Sequence, residues 1–136
     1  MTTGDLRKLA AAQGINIDER PMRELRAIAM PQGWIAIDPA KFPTEADYKC
    51  VLAHEIGHCL TGSFYKADSP AADKERCERA ANEYAARLLM PAEAVLSAFQ
   101  DGQGQLSTLA ARFEVTAGFA AMALNFYGME AQQCRY

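Results

Sequence analysis

Apolar residues recur every three to four positions along most of this chain, the spacing that places them on one face of a helix. The N-terminal stretch follows this pattern and predicts a first helix that Gly14 ends. From residue 25 the period shortens to two. Residues 25–30 and 34–38 are therefore predicted to be antiparallel strands, joined by a tight turn at Pro31-Gln32-Gly33.

A buried helix is predicted next. Thr44 is its expected N-cap, with Asp47 at the spacing of a capping box, and Gly62 is its expected end. The apolar positions between these ends recur at helical spacing, so this helix should pack against the rest of the protein.

Further helices are predicted in the C-terminal half. A long one begins at Ser69-Pro70 and runs to Pro91, and a short one follows as far as Phe99. Two more, over residues 106–113 and 115–128, meet at a turn. The whole pattern predicts an α+β fold in which a small antiparallel sheet packs with a mainly helical domain.

Length and composition fit a single domain spanning residues 1–136. Half of the residues are hydrophobic, which is enough for a substantial core at this length. The net charge of −3 argues against a broad surface for nucleic acid or for an anionic membrane. No apolar run is as long as a membrane span, and charged residues interrupt the N-terminus where a signal peptide would be apolar. We therefore expect a cytoplasmic monomer without membrane association.

The four cysteines show no CxxC pair and no disulfide framework; they are Cys50, Cys59, Cys77 and Cys134. In a reducing compartment they are expected to be thiols, most of them packed as small core residues. Cys50 has an alternative role, since it lies four residues before His54 on the same helix face and could approach a metal there.

The candidate chemistry lies in the predicted buried helix, in the sequence HEIGH at residues 54–58. Residues four apart on a helix lie one above the other, so His54 and His58 can place two imidazole nitrogens on one metal ion. Glu55 is rotated to the side, where its carboxylate can reach a metal-bound water as a general base. This is the HExxH arrangement of zinc peptidases. Because the chain has no other histidine, the third protein ligand has to be a carboxylate or a thiolate.

The predicted helix over residues 70–90 offers this third ligand. Its candidates are Asp73, Glu75, Cys77, Glu78 and Glu83. At about 100° per residue, Glu78 lies roughly 70° from the centre of the apolar stripe and Glu83 roughly 150° away, on the solvent side. A carboxylate at the edge of the buried face is costly without a partner, and a metal would offset that cost. The alternative is a solvated Glu78 that pairs with Arg79 or Lys74.

Two stretches together resemble the ImmA/IrrE family of metallopeptidases. They are HEIGH at residues 54–58 and ERAANEYAARLLMP at residues 78–91. The second motif of that family reads approximately E-R-E-A-N-x-F-A-A-x-L-L-M-P. This chain departs from it at Ala80, where a second Glu is common, and at Tyr84, where Phe is usual.

The resemblance implies a zincin-like domain with one zinc ion (Zn²⁺). His54, His58 and Glu78 match the metal ligands of the family, and Glu55 matches its catalytic base. The implied activity is that of a zinc-dependent endopeptidase that cleaves one protein partner. The partner is expected to be a DNA-binding protein, such as a helix-turn-helix transcriptional repressor of a prophage, mobile element or stress regulon.

A second interpretation is a non-catalytic adaptor that contains zinc and sequesters a repressor without cutting it. A purely structural zinc site gains nothing from Glu55, so the complete His-Glu-His set favours catalysis. Direct binding of nucleic acid is not expected, because Ala117–Tyr127 in the last predicted helix carries no Arg, Lys or Gln to meet bases or phosphates.

Two further expectations concern the substrate. Its oxyanion needs a donor, and the candidates are Tyr65, Asn82, Tyr84 and Arg87. Asn82 could instead orient the Glu78 carboxylate. An extended peptide could add to an exposed edge of the strand at Ile35–Ile37.

Overall fold

Helices dominate the chain, with one small sheet near the N-terminus. The computed structural model describes residues 1–133, and within them it has six α-helices, three strands and one 3-10 helix. In chain order these are α1 (Thr3–Ala12), β1 (Asn16–Glu19), β2 (Ala27–Met30), β3 (Trp34–Ile37), the 3-10 helix (Pro39–Lys41), α2 (Glu45–Thr61), α3 (Ala71–Leu89), α4 (Ala92–Gln100), α5 (Leu106–Phe113) and α6 (Ala117–Phe126). The predicted α+β class is confirmed.

The strand β3 lies at the centre of the sheet. It pairs antiparallel with β2, with Ile35 opposite Ala29, as the alternation of apolar residues predicts. It also pairs parallel with β1, so the sheet is mixed and its strand order is β1-β3-β2. The sequence does not predict β1, because its four residues are too few to show a period and their partner strand is distant in the chain.

This strand order changes the expected place of substrate docking. Both edges of β3 are occupied by neighbouring strands, so the prediction that an extended peptide adds to the strand at Ile35–Ile37 is wrong. The outer strands are β1 and β2. Because α2 packs against β2, it is β2 that lies beside the helix carrying the histidines.

The chain forms two compact units, each with its own buried side chains. The first comprises Met1–Ala85 and contains the sheet, α1, α2 and most of α3. Its largest fully buried side chains are Leu6, Ile35, Ile37, Leu52 and Ile56. The second unit begins at Ala86 and contains α4, α5 and α6. Its largest fully buried side chains are Met90, Val95 and Leu109.

The ends of α2 are those that the sequence predicts. Thr44 is the N-cap, and its side chain accepts a hydrogen bond from the Asp47 N–H at 3.1 Å. Gly62 ends the helix in the left-handed conformation, with φ of 65°, and its N–H donates to the His58 carbonyl. Between these ends Leu52 and Ile56 are fully buried, so the helix is held along its length as well as at its ends.

Cys50, Cys59 and Cys77 form no disulfide within the described residues, and Cys134 lies outside them. None of the helices in residues 1–133 has the length and apolar character needed to cross a bilayer.

Candidate metal centre

The two histidines of α2 face each other across one helical turn. His54 Nε2 and His58 Nε2 lie 3.1 Å apart, and the two rings are perpendicular, with their centroids 4.7 Å apart. This follows from the spacing of four residues, which stacks the side chains on one face of the helix. His58 is buried and His54 is partly exposed, with side-chain exposures of 9% and 20%, so the pair opens to one side.

The helix α3 brings Glu78 to this pair. Its Oε2 lies 2.9 Å from His54 Nε2, and its Oε1 lies 3.3 Å from His58 Nε2. Of the carboxylates and the thiol considered as a third ligand, Glu78 is the one that joins the two histidines within the described residues. The alternative of a solvated Glu78 that pairs with Arg79 or Lys74 does not hold. The Glu78 oxygens face the two histidines and the Tyr65 hydroxyl.

Each imidazole has a partner on its second nitrogen. His54 Nδ1 donates to Asn82 Oδ1 at 2.7 Å, and His58 Nδ1 donates to the Ser63 carbonyl oxygen at 2.6 Å. Since both partners accept, the proton of each ring lies on Nδ1 and the Nε2 lone pairs face Glu78. Asn82 therefore orients His54, not the Glu78 carboxylate.

This arrangement fits a metal ion in both geometry and chemistry. Around a tetrahedral zinc ion with bonds of about 2.0–2.2 Å, neighbouring ligand atoms lie about 3.3–3.6 Å apart. His54 Nε2 lies 3.1 Å from His58 Nε2 and 2.9 Å from Glu78 Oε2, and the candidate ligand atoms of the three residues all lie within 4.8 Å of one another. Burial lowers the pKa of His54, which favours the neutral imidazole that a metal requires. Two lone pairs and a carboxylate oxygen directed at one point are a suitable donor set for a divalent cation.

The site agrees with the comparison with known families. The Peptidase_M78 family model, described as the IrrE N-terminal-like domain, matches residues 12–125. The chain belongs to this family. No curated protein matches the chain at a significant level. The IrrE-like match includes both stretches in which the sequence resembles the family, and it makes the chain a member of a group of metal-dependent peptidases.

The IrrE-like centre depends on a close approach of α2 and α3. A Cβ built on Gly57 would lie 2.6 Å from the Ala81 carbonyl oxygen and 3.1 Å from the Ala81 Cα. No side chain other than hydrogen fits there, because both neighbouring atoms belong to the backbone of α3. Ala81 is itself fully buried. Sequence reasoning missed this role of Gly57, although a glycine inside a helix is costly and so could have indicated a packing constraint.

Glu55, the candidate base, lies beside the cluster in a buried position. It is 9% exposed, and burial raises its pKa to about 7, with opposing contributions from His58 and Glu78. The backbone of Ala29 in β2 lies close enough to this carboxylate to lower its pKa in part. A carboxylate with a pKa near neutrality can both take up and release a proton under physiological conditions.

The other candidate oxyanion donors are Tyr65, Arg87 and Tyr84, and each has different surroundings in the structure. The Tyr65 hydroxyl donates to Glu78 Oε1 at 2.7 Å. Arg87, in the second unit, lies over the Tyr127 ring at 5.4 Å from its centroid. Tyr84 is half-buried on α3, and burial raises the pKa of its hydroxyl.

The two thiols considered as alternative metal ligands, those of Cys50 and Cys77, have neighbours other than the three candidate ligands. Cys50 is 8% exposed within the core of the first unit, and it is not part of the cluster formed by His54, His58 and Glu78. Cys77 Sγ donates to the Phe64 carbonyl oxygen at 3.5 Å. Thus neither thiol is a fourth ligand that would close the site.

Proposed function

We propose that this chain is a zinc-dependent endopeptidase that cleaves a protein partner. The observation that supports the proposal most is the convergence of His54, His58 and Glu78 on one point, with the Glu55 carboxylate buried beside them. Three protein ligands leave a position for water, which is the pattern of catalytic zinc sites; structural sites use four.

A bound zinc ion supplies a Lewis acid and makes a water acidic enough to be deprotonated near pH 7. The residues of the chain then carry the proton. Glu55 takes it from the attacking water and later gives it to the leaving amine of the cleaved peptide bond. Asn82 fixes the orientation of His54 during this exchange.

The outer edge of β2 is the proposed docking site for the peptide. Asp38 N–H donates to the Arg26 carbonyl, so by alternation Ala27 and Ala29 direct their N–H and C=O groups away from β3. One of these groups, the Ala29 N–H, already lies close to Glu55. An extended peptide that pairs with the remaining groups would lie along the catalytic carboxylate.

We further propose that the partner is a DNA-binding repressor of a prophage, mobile element or stress regulon, and that the reaction takes place in the cytoplasm. Support for this part comes from the similarity to ImmA/IrrE peptidases. We propose a monomer without direct contact to nucleic acid, in line with the acidic balance of the chain.

The test uses the purified chain with a candidate repressor. Zinc content is measured first, and cleavage is then followed by mass spectrometry for the wild type and for Glu55→Gln. Catalysis by Glu55 predicts that cleavage falls by at least 10²-fold while zinc content and partner binding persist. Glu75→Gln, an exposed position on α3, is the matched control and should cleave normally. Equal relief of repression by Glu55→Gln and wild type would instead favour the adaptor that binds without cutting.

A further inference from the structure

The segment that follows α2 contacts two of the three candidate ligands. The Ser63 carbonyl accepts from His58 Nδ1 at 2.6 Å, and two residues later the Tyr65 hydroxyl donates to Glu78 Oε1 at 2.7 Å. One short segment thus connects a ligand on α2 with the ligand on α3.

The position of this segment is fixed by further contacts. The Phe64 ring lies nearly parallel to the His58 ring, with centroids 6.2 Å apart and an interplanar angle of 29°. The Phe64 carbonyl accepts from Cys77, the residue just before Glu78. The Tyr65 ring itself lies 6.5 Å from the His58 ring, centroid to centroid. The Tyr65 hydroxyl is therefore held at Glu78 although its side chain is 42% exposed.

The two oxygens of Glu78 have different partners. Oε1 accepts from Tyr65, whereas Oε2 faces His54 Nε2 at 2.9 Å. His58 Nε2 cannot donate to Oε1 at 3.3 Å when the proton of that ring is on Nδ1, which leaves the Tyr65 hydroxyl as the donor. A phenol donating to a carboxylate is a charge-assisted bond, stronger than one between neutral groups.

We propose that Tyr65 is a positioning residue that keeps Glu78 Oε1 occupied, so that the carboxylate presents Oε2 alone to the metal. A carboxylate can bind a cation through one oxygen or through both. If both oxygens of Glu78 bound, the second would take the position that a catalytic site reserves for water. This inference rests on the metal site of the proposed function and extends it, because it gives a protein residue control over the coordination number.

The experiment compares Tyr65→Phe with the wild type, each loaded with zinc and separately with cobalt(II). Zinc affinity is measured by competition with a chromogenic chelator, and the cobalt visible spectrum reports the coordination number. Loss of the hydroxyl should weaken zinc binding about 10- to 100-fold, the usual effect of removing the partner of a ligand. It should also change the cobalt bands toward those of a site with one more ligand atom.

The matched control is Tyr84→Phe. It removes a hydroxyl from a half-buried tyrosine of α3 that is not among the partners of His54, His58 or Glu78. This variant should keep the zinc affinity and the cobalt spectrum of the wild type. The unfolding midpoint of metal-free Tyr65→Phe, measured in parallel, should be close to that of the wild type, because Tyr65 is 42% exposed.

Each outcome decides the matter. If Tyr65→Phe keeps the wild-type affinity and spectrum, Tyr65 does not position Glu78, and the proposed peptidase function is unaffected. An equal loss in both variants would likewise overturn the inference, since the effect would not be specific to Tyr65. If the wild type itself binds neither metal, the proposed function and this inference fail together.

Discussion

The backbone of Gly57 in α2 touches the backbone of Ala81 in α3, leaving no room for a Cβ at position 57. The contact lies one residue from His58 along α2 and three residues from Glu78 along α3. It therefore sets the separation of the helices at the level where the three candidate ligands meet. A small residue here is a requirement of the site as much as of the core.

Gly57→Ala is expected to separate the two helices. The added methyl group would lie 2.6 Å from a backbone oxygen, and overpacking of this kind costs about 1–3 kcal/mol of stability. Glu78 should move away from the histidines, so zinc affinity should fall as well. Denaturant unfolding and chelator competition measure the two effects. The control is Gly118→Ala in α6, where nothing lies within 4 Å of the added Cβ and stability should be unchanged or slightly higher. Equal behaviour of the two variants would contradict this account.

Asn82→Ala is expected to loosen His54. The substitution removes the acceptor of the Nδ1 proton, which fixes both the tautomer and the ring orientation. Zinc affinity should fall about 10- to 100-fold, with little change in the fold. Asn125→Ala, at an exposed position of α6, is the control. Unchanged zinc affinity in Asn82→Ala would mean that the ring is held by packing alone.

The stability of the metal-free protein should depend on pH through Glu55. Its pKa is about 7 in the folded protein, against an ordinary value of 4.5, so the folded state holds the proton more tightly than the unfolded chain. Stability from this group is therefore present at pH 4.5 and is lost as the pH rises to about 7. Glu55→Gln removes the buried charge and should be more stable than the wild type at pH 8, by roughly 3 kcal/mol, with the difference shrinking toward pH 4.5.

Urea unfolding in the presence of a chelator, at a series of pH values, measures this difference. Glu75→Gln should follow the wild-type curve, because Glu75 is exposed. A Glu55→Gln curve that runs parallel to the wild type at all pH values would show that Glu55 has an ordinary pKa.

The docking edge can be tested with Ala27→Pro. Proline removes an N–H that points away from β3, so the bonds between β2 and β3 remain and the sheet should persist. Substrate binding through this edge predicts a higher KM with kcat nearly unchanged, since Glu55 and the metal ligands are not touched. An unaltered KM would place the peptide elsewhere.

The local features of α2 could be predicted from the sequence because they depend on short-range chemistry. The cap at Thr44, the end at Gly62 and the stacked pair of histidines each follow from a few neighbouring residues. The choice of Glu78 over Glu83 followed from the angle between side chains on one helix, which is also local. In the structure the Glu78 carboxylate lies 2.9 Å from His54 Nε2 and 3.3 Å from His58 Nε2.

Relationships between distant segments could not be predicted in the same way. The parallel pairing of β1 with β3 places β3 at the centre of the sheet. Four residues are too few for a hydrophobic period to predict this pairing. The partners of the imidazole rings include the Ser63 carbonyl, a backbone group that every residue type carries. The proximity of Ala29 to Glu55 also involves a backbone group, so the amino-acid sequence does not predict it.

The alanines of β2 set a condition on what can be cut. Their methyl side chains offer little surface for contact with a substrate side chain. A chain that pairs with this strand is therefore recognised mainly by its peptide groups. A helix cannot meet that condition, since its peptide groups are already bonded to one another. In the proposed reaction a folded repressor would thus be vulnerable only where it exposes an extended stretch, such as a linker between domains. The location of such a stretch in the partner would then decide the site of cleavage more than its amino-acid sequence does.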